Sequence, residues 1–438
     1  MAGTDNELKK KAAAARAAAL ELANLKDSRK RVALKAMAAA LRTNADAILK
    51  ANAADVADAR RAVASGKLSQ AMLKRLMVDN VKIEGMAEGV ESVAKLPDPV
   101  GRAISEIEMD DGLILEQVSC PIGVIGAVFE SRPDVVPQIS ALCLKSGNAV
   151  ILKGGSEAAR TNRVLKDTLC AAAEAVPGVP AGWAQLIETR REVKSVLAMD
   201  EYIDLLVPRG SNEFVRYIQD NTRIPVLGHA DGVCHVYIDK GADWNLATAI
   251  AIDSKTQYPA ACNAAETILV HKDIAAVFLP QLARALADHN VEVRGCAASR
   301  RLAKGLKAAK PSDWDAEYLD LIVSLKVVDS IEAAVEHINK HGSKHTDSIV
   351  TGSNKASEFF FKNVDSACVF LNASTRFSDG FRFGKGAEIG ISTNKTHARG
   401  PVGLEGLVIY KYLLRGSGQI VDDYMGPHAK KFKHRKLR

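Results

Sequence analysis

The chain alternates short apolar runs with segments of helical periodicity from residue 122 onward. Buried strands are predicted at 123–129, 149–153, 184–188 and 205–208, and helices at 137–145 and 157–176. Because strands joined through helices run parallel and cross over with one hand, this order predicts a parallel sheet with helices on both faces. Ligands of such sheets bind at the carboxyl ends of the strands, so functional residues are expected there.

A second α/β pattern begins at Cys262 and extends toward the C-terminus. Strands are predicted at 267–270, 321–328 and 347–351, alternating with helices at 273–288 and 330–340. A chain of 438 residues is too long for one ordinary hydrophobic core. We therefore expect two α/β domains, or two domains with a small appendage.

The N-terminal region, residues 5–95, has a different composition, which is dominated by alanine, leucine, lysine and glutamate. Since these residues favour helices and glycine and proline are scarce, the region is predicted to be almost wholly helical. The alanine-rich stretch at 12–19 is compatible with a membrane-surface helix. Charges that recur at helical spacing favour a packed antiparallel helix pair instead.

A β-hairpin is predicted at 106–118, where two strands flank an Asp111-Gly112 turn. An isolated hairpin would leave a strand edge exposed, so we expect that edge to pair elsewhere, in this chain or in another subunit. The strand-like segment at 406–414 is a candidate partner for the hairpin.

Composition narrows the class of protein. Hydrophobic residues make up 47% and charged residues 25% of the chain, as in globular proteins, and no apolar run has the length of a membrane helix. The N-terminus lacks a signal-peptide pattern, and seven scattered cysteines without a Cys-x-x-Cys pair fit a reducing compartment. We expect a cytoplasmic protein without a zinc site.

The excess of positive charge is concentrated at the C-terminus of the chain. Residues 430–438 hold six lysines and arginines and no acidic residue, which leaves about +1 of the net +7 charge for the rest. Such a tail can tether nucleic acid or a partner. A solvated, disordered terminus is the alternative that we favour from the sequence.

Three junctions between a predicted strand and the following segment carry residues suited to anions. Lys153-Gly154-Gly155-Ser156-Glu157 and Pro208-Arg209-Gly210-Ser211 each combine glycine, a cation and a helix start, although neither matches a GxGxxG or P-loop fingerprint. Ser131 and Arg132 follow the first buried strand, where Arg132 could clamp a carboxylate or phosphate. A turn with a helix cap, or a surface ion pair, remains the simpler interpretation of each.

Cys262 lies in a short loop between a helix-like stretch, 244–252, and a strand-like stretch, 267–270. A thiol in such a loop, beside the amide of Asn263, can serve as the nucleophile of an acyl-transfer enzyme. A buried structural cysteine is the competing interpretation. Glu266 could act as a general base, but its position in the following strand favours a structural role.

Several of these motifs together resemble one family, the γ-glutamyl phosphate reductases of the aldehyde dehydrogenase superfamily, from about residue 7 to 425. The matching stretches are Glu130-Ser131-Arg132-Pro133, Lys153-Gly154-Gly155-Ser156-Glu157, Val207-Pro208-Arg209-Gly210-Ser211, Gly228-His229-Ala230-Asp231-Gly232, Cys262-Asn263-Ala264-Ala265-Glu266-Thr267, Glu317-Tyr318-Leu319-Asp320, Asn372-Ala373-Ser374-Thr375-Arg376-Phe377 and His397-Ala398-Arg399-Gly400-Pro401. The resemblance implies an aldehyde dehydrogenase-like fold with two parallel-sheet α/β domains and a β-hairpin oligomerisation appendage.

The resemblance also implies the activity: NADPH-dependent reduction of L-glutamate 5-phosphate to the 5-semialdehyde, the second step of proline synthesis from glutamate. Cys262 would form the thioester, with Asn263 or a nearby backbone N–H stabilising the oxyanion. The implied NADP(H) contacts are Lys153, Gly154, Ser156, Gly210, Ser211 and Glu317, and the candidate substrate contacts are Ser131 and Arg132.

One absence bears on which reaction is expected. Hydrolytic aldehyde dehydrogenases place a glutamate where this chain has residues 226–232, and that stretch contains none. Because water would waste a thioester meant for phosphate, the absence favours the phosphorylating reaction. A hydrolytic aldehyde dehydrogenase and a non-catalytic protein that binds RNA through its basic tail remain the rivals.

The resemblance implies a domain plan. Residues 1–105 and 122–257 are expected to form the NADP(H)-binding domain, 258–400 the catalytic domain, 106–121 and 401–425 the oligomerisation appendage, and 426–438 the basic tail. A homodimer or homotetramer is expected, with no metal, nucleic acid or membrane. Since no kinase domain fits beside these parts, a glutamate 5-kinase partner is expected to be a separate chain.

Overall fold

The computed structural model describes residues 2–188, 192–228 and 231–438, so His229 and Ala230 of the glycine-rich stretch lie outside the described residues. The helices are α1 (Ala2–Leu22), α2 (Asp27–Thr43), α3 (Ala45–Ala64), α4 (Gln70–Leu76), α5 (Asn80–Lys95), α6 (Val135–Ser146), α7 (Ala159–Glu174), α8 (Glu192–Leu197), α9 (Asn212–Asp220), α10 (Trp244–Thr256), α11 (Lys272–Asp288), α12 (Ala297–Leu302), α13 (Ile331–His341) and α14 (Asn354–Asn363).

The strands are β1 (Ala103–Asp110), β2 (Leu113–Pro121), β3 (Val124–Phe129), β4 (Ala149–Lys153), β5 (Ala184–Ile187), β6 (Leu205–Arg209), β7 (Cys234–Ile238), β8 (Ala265–His271), β9 (Glu292–Gly295), β10 (Lys307–Ala308), β11 (Ile322–Val328), β12 (Thr346–Val350), β13 (Cys368–Leu371), β14 (Gly390–Ser392), β15 (Gly400–Val402), β16 (Val408–Arg415) and β17 (Arg435–Lys436). The chain divides into two compact units: unit 1 comprises 1–227, 385–390 and 402–438, and unit 2 comprises 228–384 and 391–401.

Unit 1 contains a parallel sheet with the strand order β5-β4-β3-β6 within the described residues. In chain order this is third, second, first, fourth, which is the order of the first four strands in a doubly wound dinucleotide-binding sheet. The direction of the connections reverses between β3 and β6, and ligands of open α/β sheets bind at such a switch point. The parallel sheet predicted from the apolar runs is therefore confirmed.

The N-terminal region is helical, as predicted, but it forms α1 to α5 rather than one antiparallel pair. Helix α2 buries a stripe that includes Leu34, Met37 and Leu41, and it packs against α5 and α7. In the alanine-rich α1, Ala12, Ala15 and Ala19 are buried, and the helix packs against β4 and β5. The small alanine side chains let the helix approach the sheet closely. This packing explains the alanine-rich sequence, so a membrane surface is not needed to explain it.

None of the helices in the described part of the chain combines the length and apolarity needed to span a bilayer.

The predicted hairpin is confirmed as β1 and β2, joined at Asp111-Gly112, with Gly112 at φ 69°. Strand β16 pairs antiparallel with β2 from Val408 opposite Pro121 to Arg415 opposite Ile114, as expected for the 406–414 segment. The other edge is covered by β17, which pairs with β1. The favoured expectation of a disordered basic tail is therefore wrong, because backbone pairing with β1 orders this segment.

Unit 2 is built on a parallel sheet with the order β10-β9-β11-β8-β7-β12-β13 among the residues described. Successive side chains alternate between its faces. Ile268 and Val270 of β8 pack with α10 and α11, whereas Leu269 packs with α13 and α14. Both faces are thereby buried by helices, as the second α/β pattern predicted.

The predicted boundary between the two large domains, after residue 257, does not coincide with the division by contacts, which falls at 227/228. The reason is β7, which the sequence did not reveal as a strand. It pairs with β8 and β12 and thus binds residues 234–238 into the sheet of unit 2. Helix α10 packs on that same sheet.

Candidate active site

Cys262 lies in the loop that joins α10 to β8, as predicted. Two consecutive turns shape the loop: the Ala261 N–H donates to the Tyr258 carbonyl at 3.2 Å, and the Ala264 N–H donates to the Ala261 carbonyl at 2.9 Å. Cys262 is half-buried, unlike the fully buried Cys143 and Cys234. It is thus partly accessible while its backbone is held by short-range hydrogen bonds.

The start of β7 supports this loop from within unit 2. A Cβ atom added to Gly232 would lie 2.0 Å from the Cys262 carbonyl oxygen and 2.5 Å from its Cα, so only glycine fits there. The Cys234 thiol donates to the same carbonyl at 3.3 Å. Burial raises the pKa of Cys234 well above its ordinary value, which keeps this thiol protonated as the donor.

Asn263 is buried, and its Nδ2 donates to the Ser378 carbonyl at 2.7 Å. This side chain therefore anchors the loop to the 375–378 turn. The backbone N–H groups of Cys262 and Asn263 make no hydrogen bond to another described residue. These two backbone N–H groups, rather than the engaged side-chain amide of Asn263, are the available donors for an oxyanion formed at Cys262.

A buried ion pair joins the two ends of the loop. Lys255, in the last turn of α10, lies 2.6 Å from Glu266 in β8, and both side chains are fully buried. Burial raises the pKa of Glu266 to about 8, while the attraction of Lys255 opposes the rise. The position of Glu266 within a strand agrees with the structural role that the sequence favoured.

Glu317 lies in the segment after Asp315 and is half-buried. Its negative charge contributes to the raised pKa of Glu266, so the two carboxylates lie in one neighbourhood of unit 2. The adjoining Tyr318 ring lies 5.9 Å from the Lys255 Nζ. The buried ion pair therefore connects the Cys262 loop with the segment that carries Glu317.

Arg376 is a residue of this neighbourhood to which the sequence assigned no role. It lies in a short 3₁₀ turn, Thr375–Phe377, whose Thr375 N–H donates to the Ser254 hydroxyl of α10 at 3.2 Å. Its Nε donates to Gln257 Oε1 at 2.9 Å. The arginine was visible within a family motif, but its contact with the Cys262 loop joins residues 119 positions apart and has no local signal.

The other predicted site residues lie in unit 1, at the carboxyl ends of β3, β4 and β6. Ser131 has φ 46° and is buried, and both its N–H and its hydroxyl donate to Glu157 Oε1, at 2.7 and 2.8 Å. Its hydroxyl is therefore engaged within the protein. Arg132, next along the chain, is half-buried and is the more accessible of the two predicted substrate contacts.

Lys153 ends β4 with its side chain buried, and its Nζ donates to the Gly154 carbonyl. A Cβ atom on Gly154 would lie 2.2 Å from Asn162 Nδ2 and 3.0 Å from the Phe129 ring. Close packing is thus sufficient to require this glycine. Ser156 begins the following 3₁₀ turn and is exposed.

Gly210 and Ser211 follow β6 at the switch point of the sheet. Ser211 caps α9, since its hydroxyl accepts from the Phe214 N–H at 3.4 Å. Its own N–H donates to Glu130 Oε2 at 3.1 Å. A carboxylate therefore lies at this helix N-terminus, which shows that the position accepts an anion, as the partial positive charge of a helix start predicts.

These features of unit 1 fit a nicotinamide dinucleotide. The strand order, the switch point between β3 and β6, and the anion-accepting start of α9 are the elements that such a cofactor uses. Among the described residues, no group of three or more His, Cys, Asp or Glu side chains is arranged to bind a metal ion.

The fold agrees with a comparison against protein families. A family model described as "Aldehyde dehydrogenase family" matches residues 1–295. The chain belongs to the aldehyde dehydrogenase family. The fold class implied by the motif resemblance is thereby confirmed.

Individual relatives are more specific. The chain is 54% identical to the gamma-glutamyl phosphate reductase of Methanococcoides burtonii, over 98% of this chain and 97% of the relative. It is 55% identical to the gamma-glutamyl phosphate reductase of Haloquadratum walsbyi, over 96% and 93% of the two chains. The crystal structure of gamma-glutamyl phosphate reductase from Thermotoga maritima matches with a TM-score of 0.91 and 39% identity, covering 94% of this chain and 99% of that one. These comparisons confirm the predicted resemblance.

Proposed function

We propose that this protein reduces L-glutamate 5-phosphate to L-glutamate 5-semialdehyde and phosphate, with NADPH as the reductant, in the second step of proline synthesis from glutamate. The observation that carries the proposal is the 54% identity with a gamma-glutamyl phosphate reductase over 98% of this chain. The partly accessible Cys262, in a loop fixed at both ends, is the site that the reaction needs.

Cys262 is the proposed nucleophile. Its thiolate sulfur bonds to the acyl carbon of the substrate, and the carbon–oxygen bond to phosphate breaks, so that phosphate leaves with the electron pair and a thioester remains. The backbone N–H groups of Cys262 and Asn263 are placed to stabilise the oxyanion of the tetrahedral intermediate. The Asn263 side chain acts by holding the loop to Ser378.

The family implies a nicotinamide cofactor, and we propose that it is NADP(H), with Lys153, Gly154, Ser156, Gly210, Ser211 and Glu317 as its contacts. When bound, the cofactor supplies the hydride that reduces the thioester carbonyl. The chain itself provides the anion-accepting start of α9 and the buried cation of Lys153. Ser131 and Arg132 are proposed as substrate contacts, of which Arg132 is the more accessible.

The proposed domain roles follow from these assignments: unit 1 binds the cofactor and unit 2 carries the nucleophile. The sheet of β16, β2 and β1 is proposed to join subunits into a dimer or tetramer. In support, β16 exposes the apolar side chains of Ile409, Tyr412 and Leu414, and exposed apolar surface of this kind is typical of interfaces. The acyl phosphate is proposed to come from a separate kinase chain.

The decisive assay measures NADP⁺ reduction with glutamate 5-semialdehyde, with and without phosphate or arsenate. Turnover that requires one of these anions is expected, because residues 226–232 contain no glutamate to activate water. Turnover without either anion would instead establish a hydrolytic aldehyde dehydrogenase.

The Cys262→Ser variant tests the nucleophile. It should lower turnover by on the order of 10³-fold or more, because a serine hydroxyl is a far weaker nucleophile than a thiolate. The Kd for NADPH, measured by fluorescence titration, should stay within about twofold of the wild-type value. Cys296→Ser, on the start of α12, is the matched control and should retain activity. A Cys262→Ser enzyme with wild-type turnover would contradict the thioester route.

A further inference from the structure

We infer that Arg376 is the residue that receives an anionic oxygen group of the substrate beside Cys262. The shared chemistry is a phosphoryl or carboxylate group with at least two oxygens. The substrate proposed above has both groups, so naming the anion rests on the proposed function, whereas the anion-binding role itself rests on the structure.

Arg376 carries a buried charge that has no ion-pair partner among the described residues. Arg376 is only 9% exposed, and its guanidinium forms no ion pair with a carboxylate among the described residues. Two other arginines of unit 2 have ion-pair partners: Arg399 lies 3.3 Å from Asp365, and Arg294 lies 2.8 Å from Asp313. Burying a charge without a partner is costly, so its retention indicates that an anion binds it during function.

The guanidinium of Arg376 is anchored at one edge only. Nε is occupied by Gln257, and the Tyr258 ring lies 5.9 Å from the guanidinium carbon. Nη1 and Nη2 make no hydrogen bond to another described residue. A planar guanidinium with one edge anchored and the other available is suited to bidentate binding of two oxygens.

Arg376 is held by the loop that carries the proposed nucleophile. Gln257 and Tyr258 belong to the Cys262 loop, so the arginine is held by the segment that carries the thiol. Burial lowers the pKa of Arg376, as does the positive charge of Arg382, whereas the negative charges of Cys262, Asp379 and Asp253 raise it. Arg376 and Cys262 therefore interact electrostatically, and an anion bound to Arg376 would lie in the neighbourhood of the thiol.

A second cation, Arg382, contacts the 3₁₀ turn. Arg382 donates through Nη1 to the Arg376 carbonyl at 2.8 Å, and it lies 3.9 Å from Asp379. Arg382 thus has a carboxylate at ion-pair distance, whereas Arg376 has none among the described residues. Arg376 is accordingly the charge in this neighbourhood that most requires an external anion.

Selective alkylation of Cys262 tests the inference without any turnover. We would measure the rates of iodoacetate and iodoacetamide modification on the Cys262 peptide by mass spectrometry. The ratio of the two rates should fall roughly tenfold in Arg376→Gln, because a nearby cation attracts the anionic reagent. Arg376→Lys should keep most of the ratio. Arg301→Gln, which removes an exposed charge from α12, should leave it unchanged.

Protection experiments identify the anion. Inorganic phosphate or L-glutamate should slow iodoacetate modification of wild-type Cys262, and the more effective of the two shows whether Arg376 receives a phosphoryl or a carboxylate group. Both results support the inference. An unchanged rate ratio in Arg376→Gln, or an equal loss in Arg301→Gln, would overturn it.

Folding and function can be separated in this design. Circular dichroism checks the fold, and if Arg376→Gln does not fold, the wild-type protein decides: no preference for iodoacetate and no protection by either anion would refute the inference. Oxidation of semialdehyde without phosphate would refute the proposed function and leave the alkylation result standing. The two failures are therefore distinguishable.

Discussion

The segment that leads into β7 lies against the backbone of Cys262, and Gly232 makes this close approach possible. No positive φ is involved; the constraint is space, because any Cβ would overlap the Cys262 carbonyl oxygen and Cα. The Cys234 thiol donates to the same carbonyl and fixes the loop from the same side. The position of the nucleophile thus depends on one missing side chain and one protonated thiol.

Replacing Gly232 with alanine should displace the Cys262 loop and lower kcat by roughly 10- to 100-fold, since a shift near 1 Å in a reacting group has effects of that size. The Kd for NADPH should change little. Steady-state kinetics and a fluorescence titration measure the two quantities.

Gly241→Ala is the matched control for this substitution. A Cβ atom there would meet Thr351 Oγ1 at 3.6 Å, an ordinary contact distance, so its kcat should stay near the wild-type value. If both variants were equally active, the backbone contact at Gly232 would not be what positions the nucleophile.

Among the elements, β17 differs most from its prediction. Its backbone pairs with β1, where the Leu437 N–H donates to the Glu106 carbonyl at 2.8 Å, and Arg435 lies 2.6 Å from Glu108. The Phe432 ring stacks on Tyr424 with the centroids 4.3 Å apart. The segment thus covers a strand edge that would otherwise present unpaired N–H and carbonyl groups.

Deleting residues 427–438 should expose the β1 edge and increase self-association, which light scattering over a concentration series would detect. Lys431→Ala is the control, because it removes a tail charge that has no ion-pair partner among the described residues. Truncated protein with wild-type association at every concentration would show that β17 does not protect the edge. RNA binding that depends on the tail would revive the rival function.

Comparison of these elements explains what the sequence could predict. β4 and β8 were predictable because each is a run of apolar residues long enough to form a buried strand. β7 includes Cys234, His235 and Tyr237, and its mixed composition hid a strand that is nevertheless completely buried. β17 contains Arg435 and Lys436 and is ordered only by pairing with a distant strand.

The residues of the candidate site likewise divide into those that could be predicted from the sequence and those that could not. Cys262 was predictable because its loop and its nucleophilic chemistry are local features of the sequence. The contact of Arg376 with Gln257, and of Gly232 with Cys262, depends on chain segments that come together only in the folded unit 2. The alternation of strand-like and helix-like segments in the sequence does not show which distant residues come into contact.

At the scale of the whole molecule, the stability of unit 2 should depend on pH through His337. Its Nδ1 lies 2.9 Å from the Lys326 Nζ, and burial, followed by the charges of His235, Lys326, His341 and Lys340, lowers its pKa to about 2. The folded protein therefore keeps this histidine neutral, whereas the unfolded chain protonates it below about pH 6.5. Stability from this group is present above that pH and is lost as the pH falls.

Between pH 7 and pH 5, the free energy of unfolding should fall by about 2 kcal/mol more in the wild type than in His337→Leu, in addition to any change common to both. Urea unfolding, followed at each pH with a probe in unit 2, measures the difference. The comparison concerns the pH dependence, so a uniform loss of stability in the variant does not affect it.

His289→Gln provides the control, since His289 is exposed at the end of α11. The free energy of unfolding of His289→Gln should depend on pH in the same way as that of the wild type. Equal pH dependence in His337→Leu and in the wild type would mean that His337 is protonated in the folded protein as readily as in the unfolded chain.

The pairing of β16 with β2 has a consequence for synthesis on the ribosome. Pro121 at the end of β2 and its partner Val408 are separated by the whole of unit 2, so the hairpin is translated long before the strand that completes its sheet. At typical elongation rates this interval is roughly 15 to 60 s. During that time the edge of β2 is open to neighbouring nascent chains, and slower translation of residues 228–384 would prolong the exposure.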